Sequence, residues 1–300
     1  MFPRVSVLMP IYRAREFVAA AVGSALAQTW PELELVISDD ASDDGTWDEI
    51  QRVVAGYDGP HDVILHRQAR NVGPFHNGFE TLERSTGSVV AFAYGDDVSS
   101  QNRVERLMAA RAQTGAKVVS SAYRMGHDPS GPSALVRVPR SGGLIPTEEL
   151  LSVGWNETML GASFLMDREI WNVFGTFDET LLARGGDHVI PLRGALLGGF
   201  AYVPEPLVFW RRHARQVTSA VADYGGLKGA LGETDTAYRV AAQLQRLRDI
   251  EHLAETDRAP ADLARYRRLA INLASSTLFE WRRYRGSLEA AGCTLHWGNQ

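Results

Sequence analysis

Cysteine is nearly absent from this sequence, since the 300 residues include a single one, Cys293. One cysteine cannot form a disulfide within the chain, and this composition fits a reducing compartment. Long apolar runs are missing as well, because no stretch approaches the ~18 consecutive apolar residues of a membrane-spanning helix. The apolar run at 5–9 is shorter than the centre of a signal peptide. We therefore expect a cytoplasmic protein without a spanning helix.

An excess of positive charge is also lacking, because 31 Lys and Arg face 36 Asp and Glu, for a net charge of −5. This balance argues against a protein that grips a nucleic acid backbone. Several enzyme signatures are missing too. No Gly-x-Gly-x-x-Gly follows a predicted strand, and Walker A, Gly-x-Ser-x-Gly and His-Glu-x-x-His patterns do not occur. A nicotinamide oxidoreductase is therefore disfavoured.

What is present is a pattern typical of an α/β protein. Short apolar runs at 5–9, 33–38, 62–66 and 89–93 alternate with amphipathic stretches. Strands that are apolar on both faces and separated by helices predict a mostly parallel, doubly wound, Rossmann-like sheet flanked by helices. The stretch 124–143, rich in Gly, Pro and Ser, is predicted to be a surface loop.

The chain divides into a main domain and a helical region. The main domain is predicted at 1–220, with an α/β half at 1–123 and a mixed half at 124–220. Residues 221–300 form a C-terminal helical extension, in which 239–285 carries ten arginines against six acids. Three interpretations of this extension stay open: a cap on the main domain, a dimerisation element of a homodimer, or a peripheral contact with a membrane surface.

Charged side chains cluster where the predicted strands end. Asp39 and Asp40 follow the second strand, Arg70 the third, and Asp96 and Asp97 the fourth. In doubly wound sheets this edge binds ligands. Carboxylates there could accept hydrogen bonds from a nucleotide or share a divalent cation such as Mg²⁺ or Mn²⁺, and the guanidinium could pair with phosphate. The same residues could instead cap turns and helices or carry a solvated charge.

Taken in order, these segments resemble the family-two glycosyltransferases over residues 4–219. The family's motifs stand here as Pro10-Ile11-Tyr12, Asp39-Asp40-Ala41-Ser42-Asp43-Asp44-Gly45-Thr46, Arg70-Asn71-Val72-Gly73, Asp96-Asp97, Gly175-Thr176-Phe177-Asp178-Glu179, Gly186-Asp187 and Arg211-Arg212-His213. The resemblance implies a GT-A fold and an inverting, metal-assisted sugar transfer from a nucleoside diphosphate donor, a UDP-sugar by default. It implies a carbohydrate or lipid-linked acceptor in cell-envelope polysaccharide, glycan or glycolipid synthesis, at the inner face of the membrane for a lipid-linked one.

The resemblance also implies roles for the donor side of the site. Pro10 and Tyr12 belong to the opening motif, and Tyr12 and Asp39 would contact the nucleotide base. Arg70 would support the base and phosphate region. Asp96 would contact the ribose and assist with the metal. The half at 1–123 would therefore bind the nucleotide, and the half at 124–220 would bind the acceptor.

The remaining implied roles concern the metal and the chemistry. Asp97 would be the main ligand of Mg²⁺ or Mn²⁺, with His213 beside it. Arg211 would act on the diphosphate. Asp187 would be the general base that activates the acceptor hydroxyl, held ionised but weak by its place at the start of a helix.

Three departures from the family pattern accompany the resemblance. Tyr94 stands where the family often has an Asp before the acidic pair, which puts metal affinity in doubt. Ala41 replaces a Gly, a mild change where the backbone angle φ is negative. Gly186 replaces the first acid of the pair that ends in Asp187. A non-catalytic nucleotide-sugar-binding protein on the same scaffold is therefore the alternative hypothesis.

Overall fold

The computed structural model describes residues 2–136, 142–152, 160–178, 186–214 and 228–290, with only the backbone described at 228–238 and 280–290. The strands are β1 (Val5–Ile11), β2 (Leu33–Asp39), β3 (Asp62–Arg67), β4 (Val89–Phe92), β5 (Val98–Ser99), β6 (Val118–Gly126), β7 (Ser133–Val136), β8 (Gly143–Ile145), β9 (Leu165–Asp167) and β10 (Phe200–Arg211). The helices are α1 (Val18–Leu26), α2 (Thr46–Ala55), α3 (Pro74–Arg84), α4 (Arg103–Thr114), α5 (Thr147–Leu150), α6 (Glu169–Phe174), α7 (Ile190–Leu197), α8 (Lys228–Ala254) and α9 (Leu263–Ala290).

The described strands form one sheet in the order β3-β2-β1-β4-β9-β6-β10-β5, with β7 beside β6 and β8 beside β10. The first four strands are parallel to one another, and β6 is parallel to β10. Strand β9 is antiparallel to both β4 and β6 and joins the two parallel parts. The α/β fold expected from the sequence, with a mostly parallel central sheet flanked by helices, is confirmed.

Burial on both faces of the sheet explains its continuous apolar strands. Every residue of β2 is buried. On β1, Val7 and Met9 pack on one face with α1, α2 and α4, whereas Leu8 packs on the other face with α3, α6 and α7. Because successive strand residues point to opposite faces, a strand covered on both sides must be apolar at nearly every position.

Two sequence predictions about the second half were wrong. The loop predicted at 124–143 contains the end of β6, the short strand β7 paired antiparallel to it, and the start of β8. The strands predicted at 200–203 and 207–211 are the single strand β10, whose pairing with β6 shifts register on both sides of Pro206. Proline has no backbone N–H to donate to the ladder, so it makes the pairing irregular. In the sequence pattern this irregularity looked like a break between two strands.

The two C-terminal helices pack against each other and against α7. Leu192 and Leu196 of α7 share an apolar cluster with Ile250 and Leu253 of α8 and with Leu263 of α9. In the part of the chain that the structure describes, no helix is both long and apolar enough to cross a membrane.

A buried ion pair joins α7 to α8 at this contact. Arg193 is fully buried, and its Nε and Nη2 donate to the Asp249 carboxylate at 2.7 and 3.0 Å. The guanidinium also lies over three aromatic rings, 4.7 Å from the centroid of Phe177, 5.2 Å from Phe174 and 5.8 Å from Trp171. A desolvated arginine needs such partners, because an isolated buried charge is costly.

A second buried charge lies at the amino ends of the parallel strands. Glu34 of β2 accepts hydrogen bonds from Ser6 Oγ at 2.5 Å, Thr86 N at 2.5 Å, Gly87 N at 3.0 Å and Arg4 Nη2 at 2.9 Å. Burial alone would raise the pKa of Glu34, but these donors more than offset it and lower the pKa to about 2.

Replacing this acid should therefore destabilise the fold in a pH-dependent way. We expect Glu34→Gln to lower the free energy of unfolding at pH 7 by roughly 2–3 kcal/mol, measured by urea denaturation. A depressed pKa contributes stability above the unfolded value of 4.5 that is lost as pH falls toward about 2, so the two proteins should converge over that window. Glu49→Gln, on the surface of α2, is the control and should show little effect. If Glu34→Gln lowered the free energy of unfolding equally at pH 3 and pH 7, the role given to Glu34 would be wrong.

Candidate functional site

The carboxyl ends of β1, β2 and β4 meet at one edge of the sheet, as parallel pairing requires. Asn77 of α3 forms hydrogen bonds with Ser38 near the end of β2. Its Nδ2 donates to the Ser38 carbonyl at 2.9 Å and its Oδ1 accepts from Ser38 Oγ at 2.5 Å, and the side chain is buried. Sequence reasoning missed Asn77, because an asparagine inside a helix carries no sign that it faces strand ends.

Asp39, at the end of β2, is fully buried and incompletely satisfied. Its Oδ2 accepts from the Ser42 N–H at 3.0 Å and lies 3.3 Å from Arg67 Nε. Its Oδ1 is buried and has no hydrogen-bond partner among the described residues. Buried acceptors are almost always satisfied, so this oxygen fits the N–H of a ligand at the strand end. Arg67, which was not among the predicted site residues, is the arginine that pairs with Asp39.

The neighbouring Asp40 accepts hydrogen bonds from the backbone of the loop that follows β3. Its two oxygens accept from the N–H groups of Val72 at 2.7 Å and Gly73 at 2.9 Å. Burial raises the pKa of Asp40 against the effect of these donors. Gly73 has a φ of 89°, a conformation that favours glycine, and it precedes α3. Asp40 therefore holds the loop that carries Arg70, whose own side chain is exposed.

Pro10 and Tyr12 border the same edge from β1. Pro10 is half-buried in the strand, and Tyr12 is 44% exposed just beyond it. The Arg13 guanidinium lies 5.2 Å from the centre of the Tyr12 ring. These two side chains suit a flat heterocycle. The exposed Tyr12 ring can stack on it, and the Asp39 Oδ1 can accept a hydrogen bond from it.

The acidic pair after β4 meets the end of β10. Asp97 is buried, and its Oδ1 accepts from the backbone N–H of Arg211 at 3.1 Å. The Arg211 Nε donates to the Asp96 carbonyl at 3.1 Å, and His213 Nε2 lies 3.0 Å from Asp96 Oδ2. The Phe17 ring contacts both side chains, with its centroid 4.8 Å from the Arg211 guanidinium carbon and 4.6 Å from the centroid of the His213 ring. Two motifs far apart in sequence are therefore in contact.

Burial raises the pKa of Asp97 well above its usual range, and the charge of Asp96 raises it further. Such a carboxylate is stabilised by a cation. Asp96, Asp97 and His213 offer the oxygen and nitrogen donors that Mg²⁺ or Mn²⁺ accepts. Within the described ranges no group of three His, Cys, Asp or Glu side chains forms a metal site by itself. A divalent cation there would take further ligands from a diphosphate and water.

Arg103 is a buried cation on the inner side of the acidic pair. Its Nη2 donates to the carbonyls of Phe92 at 2.8 Å and Phe164 at 3.2 Å. Burial lowers the pKa of Arg103 to about 10, and its charge favours the ionised form of Asp97. Sequence reasoning missed this residue, because the first residue of an amphipathic helix is usually solvated.

Asp187 lies in the short 3-10 turn Gly186–His188 that precedes α7, and its Oδ2 accepts from the Gly161 N–H at 3.0 Å. Burial raises the pKa of Asp187, against the opposing effects of His188 and the Gly161 N–H. The expectation that a helix start keeps this acid weak was wrong. Helix α7 begins at Ile190, beyond the turn, so desolvation outweighs the dipole.

Tyr94 lies between the acidic pair and Asp187. A Cβ built on Gly161 would lie 2.5 Å from Tyr94 Oη and 2.9 Å from Asp187 Oδ1, so both oxygens border one small space. Burial raises the pKa of Tyr94 well above its usual range, and the charges of Asp187, Asp97 and Asp96 raise it further. Tyr94 is therefore close both to the acidic pair expected to bind the metal and to the expected base.

The structure explains the departure at Gly186 and shows that the one at Ala41 is strained. A Cβ on Gly186 would lie 2.6 Å from Phe177 Cε2, so the phenyl ring occupies the space that an acid would need. Ala41 has a φ of 56°, so the condition under which this change would be mild, a negative φ, is not met. An alanine in this conformation is strained where glycine would not be.

Filling the space between Tyr94 and Asp187 should destabilise the protein. We expect Gly161→Ala to lower the free energy of unfolding by about 1–3 kcal/mol, because the new methyl group overlaps both oxygens. The matched control is Gly23→Ala on α1, where no atom lies within 4 Å of the new Cβ and a gain of roughly 0.5–1 kcal/mol is expected. Chemical denaturation of both variants measures the contrast, and equal effects would argue against the tight space.

Comparison with known proteins gives these contacts a family context. Residues 6–171 match the family model described as Glycosyl transferase family 2. The putative teichuronic acid biosynthesis glycosyltransferase TuaG of Bacillus subtilis is 36% identical over 104 residues, which are 35% of this chain and 40% of that protein. The UDP-Glc:alpha-D-GlcNAc-diphosphoundecaprenol beta-1,3-glucosyltransferase WfgD of Escherichia coli is 30% identical over 101 residues, 34% of this chain and 38% of that protein. The matches thus span about two fifths of these relatives.

The fold is shared more widely than the sequence. The mannosyltransferase PcManGT from Pyrobaculum calidifontis, solved in complex with GDP-Man and Mn²⁺, superposes with a TM-score of 0.60 at 19% identity, over 97% of this chain and 76% of that chain. At this identity the likeness establishes the fold, which is of the GT-A type.

Proposed function

The chain belongs to glycosyl transferase family 2, and on that premise we propose that it transfers a sugar from a nucleoside diphosphate donor to an acceptor hydroxyl with inversion at the anomeric carbon. One observation carries the proposal. Tyr94 links the acidic pair Asp96–Asp97 to the separate acid Asp187: the Asp97 N–H donates to the Tyr94 carbonyl at 3.4 Å, and Tyr94 Oη borders the same small space as Asp187 Oδ1.

The donor nucleotide is proposed to lie over the ends of β1 and β2. The unsatisfied Oδ1 of Asp39 would accept an N–H of the base, and Tyr12, next to Pro10, would stack on it. Arg70 extends from the loop held by Asp40 and would reach toward the phosphates. We propose a UDP-sugar as donor, because WfgD is named for UDP-Glc, although PcManGT was solved with GDP-Man.

The diphosphate is proposed to lie against Asp96, Asp97, Arg211 and His213. Asp97, with His213 and Asp96, would hold Mg²⁺ or Mn²⁺, and the solved complex of PcManGT with Mn²⁺ supports a cation in this fold. When bound, the cation acts as a Lewis acid that neutralises the charge of the departing nucleoside diphosphate. Arg211 would add a fixed positive charge beside the phosphates.

Asp187 is proposed as the general base. Its carboxylate would take the proton from the acceptor hydroxyl while that oxygen forms a bond to the anomeric carbon and the bond to the diphosphate breaks on the opposite face. A raised pKa makes an ionised carboxylate a stronger base, and positioned proton transfer of this kind contributes about 10²–10⁴ in rate.

The acceptor is proposed to be a carbohydrate or a lipid-linked sugar of the cell envelope. The names of TuaG and WfgD, which refer to teichuronic acid and to a diphosphoundecaprenol acceptor, support this class. A lipid-linked acceptor would place the reaction at the cytoplasmic face of a membrane, as a peripheral contact.

The base assignment is tested by Asp187→Asn. We expect transfer to fall by at least 10²-fold, because the amide cannot accept the proton, while nucleotide affinity measured by calorimetry stays within threefold. Asp48→Asn, an exposed exchange on α2, is the matched control and should leave both unchanged. Turnover is measured as nucleoside diphosphate released from a panel of nucleotide sugars with and without acceptors.

Two outcomes would contradict this assignment. Near-normal turnover in Asp187→Asn would remove Asp187 from the base role. Nucleotide binding without any sugar release by the unchanged protein would favour the non-catalytic sugar-nucleotide-binding alternative. In an active enzyme, kcat should fall as pH is lowered through the raised pKa of Asp187, because the protonated acid is no base.

The metal assignment is tested by chelation. We expect excess EDTA to abolish transfer, with recovery on adding Mg²⁺ or Mn²⁺, and Asp97→Ala to lose at least 10²-fold activity that added metal does not restore. Binding of Mn²⁺ in the presence of nucleotide, followed by electron paramagnetic resonance, gives a readout independent of turnover. Full activity in EDTA would exclude a required cation.

A further inference from the structure

Helix α8 buries three polar side chains against α7 and the segments that precede it. Gln245, Arg246 and Asp249 are 5%, 1% and 4% exposed. Positions 245, 246 and 249 lie on one helix face, so the same surface is polar and buried. Buried arginine and aspartate are rare unless partners compensate them, and the partners here adjoin the turn that carries Asp187.

Arg246 binds that turn directly. Its Nε donates to the His188 carbonyl oxygen at 2.8 Å, and its Nη2 donates to the same oxygen. Its Nη1 reaches the Leu150 carbonyl at 3.4 Å. Burial lowers the pKa of Arg246 to about 10, so the guanidinium stays charged near neutral pH. His188 follows Asp187 in the turn Gly186–His188.

The other two residues brace the chain around the turn. Gln245 Oε1 accepts from the backbone N–H of Asp178 at 3.0 Å, and Gln245 Nε2 donates to Asp249 Oδ1 at 3.0 Å. Asp249 pairs with Arg193 of α7, whose Nη1 donates to the Gly175 carbonyl at 2.8 Å. Helix α8 therefore holds the backbone at 175–178 and again at 186–188.

We propose that Arg246 is a positioning residue for the general base. Two charge-assisted hydrogen bonds to the His188 carbonyl orient the turn, and the turn directs the Asp187 carboxylate toward the acceptor. The helical extension thereby completes the catalytic unit rather than only covering it. This inference rests on the proposed role of Asp187.

The alternative is that Arg246 contributes stability alone. Removing it would take hydrogen-bond donors away from the His188 and Leu150 carbonyls, which by itself lowers the free energy of unfolding. The two possibilities differ in what is lost. A positioning residue affects kcat and the mobility of the turn beyond any loss of stability, whereas a merely structural residue does not.

The test compares three variants of the full chain. Arg246→Met removes the donors at similar length, and Arg246→Lys retains one donating group. Leu253→Ala removes apolar packing from the same helix at a fully buried position, without contact to the turn, and serves as the stability control. All are assayed at equal distances below their own melting temperatures, with UDP-sugars as probes.

We expect kcat of Arg246→Met to be at least tenfold below that of Leu253→Ala, with the donor KM within threefold of the unchanged protein. Arg246→Lys should regain at least threefold of the loss. Hydrogen exchange of the amides of Val189 and Leu192, which donate to Gly186 and Val189, should be at least tenfold faster in Arg246→Met than in Leu253→Ala.

Equal kcat and equal exchange in Arg246→Met and Leu253→Ala would overturn the proposal. If the unchanged protein neither transfers nor hydrolyses any donor in the panel, the proposed function fails instead. The exchange rates of the turn then decide by themselves whether Arg246 positions it.

Discussion

Desolvated carboxylates that follow β2 and β4 and precede α7 are the constraint on which the rest of this structure depends. Burial raises the pKa of Asp40, Asp97 and Asp187. Each acid accepts a backbone N–H from a segment distant in sequence, such as Arg211 for Asp97 and Gly161 for Asp187. The need to solvate these acids with the chain itself therefore fixes how the loops and β10 close over the strand ends.

The sheet contains a useful contrast between two kinds of buried acid. Glu34, at the opposite edge, receives enough donors to lower its pKa to about 2, and it needs nothing from outside the protein. Asp39 retains a buried oxygen without a partner among the described residues, and Asp97 keeps a raised pKa. The incompletely compensated acids are the ones that a ligand or cation would stabilise, which is typical of functional sites.

The sequence predicted the parallel half of the fold well, because apolar runs, helical periods and acids at strand ends are all local signals. It did not separate Asp39 from Asp40, since only the fold shows that Asp39 keeps a buried oxygen with no partner among the described residues, whereas Asp40 accepts from the loop at 72–73. The exposed arginine at 67 and the buried arginines at 103 and 246 also escaped prediction, because the contacts of a charged residue on a helix or at a strand end are not visible until its neighbours are known. The prediction of two strands in place of β10 failed for a related reason. Pairing with β6 continues past the prolines and overrides their local effect.

The ion pair between Arg193 and Asp249 has an evolutionary consequence. Each partner lies in a different part of the chain, yet neither can change alone without leaving a buried charge. Recombination among relatives is therefore constrained: a crossover between α7 and α8 would separate two halves of one electrostatic unit. The segment around α7 should therefore be inherited together with the C-terminal helices, while strands β1–β4 are freer to be exchanged.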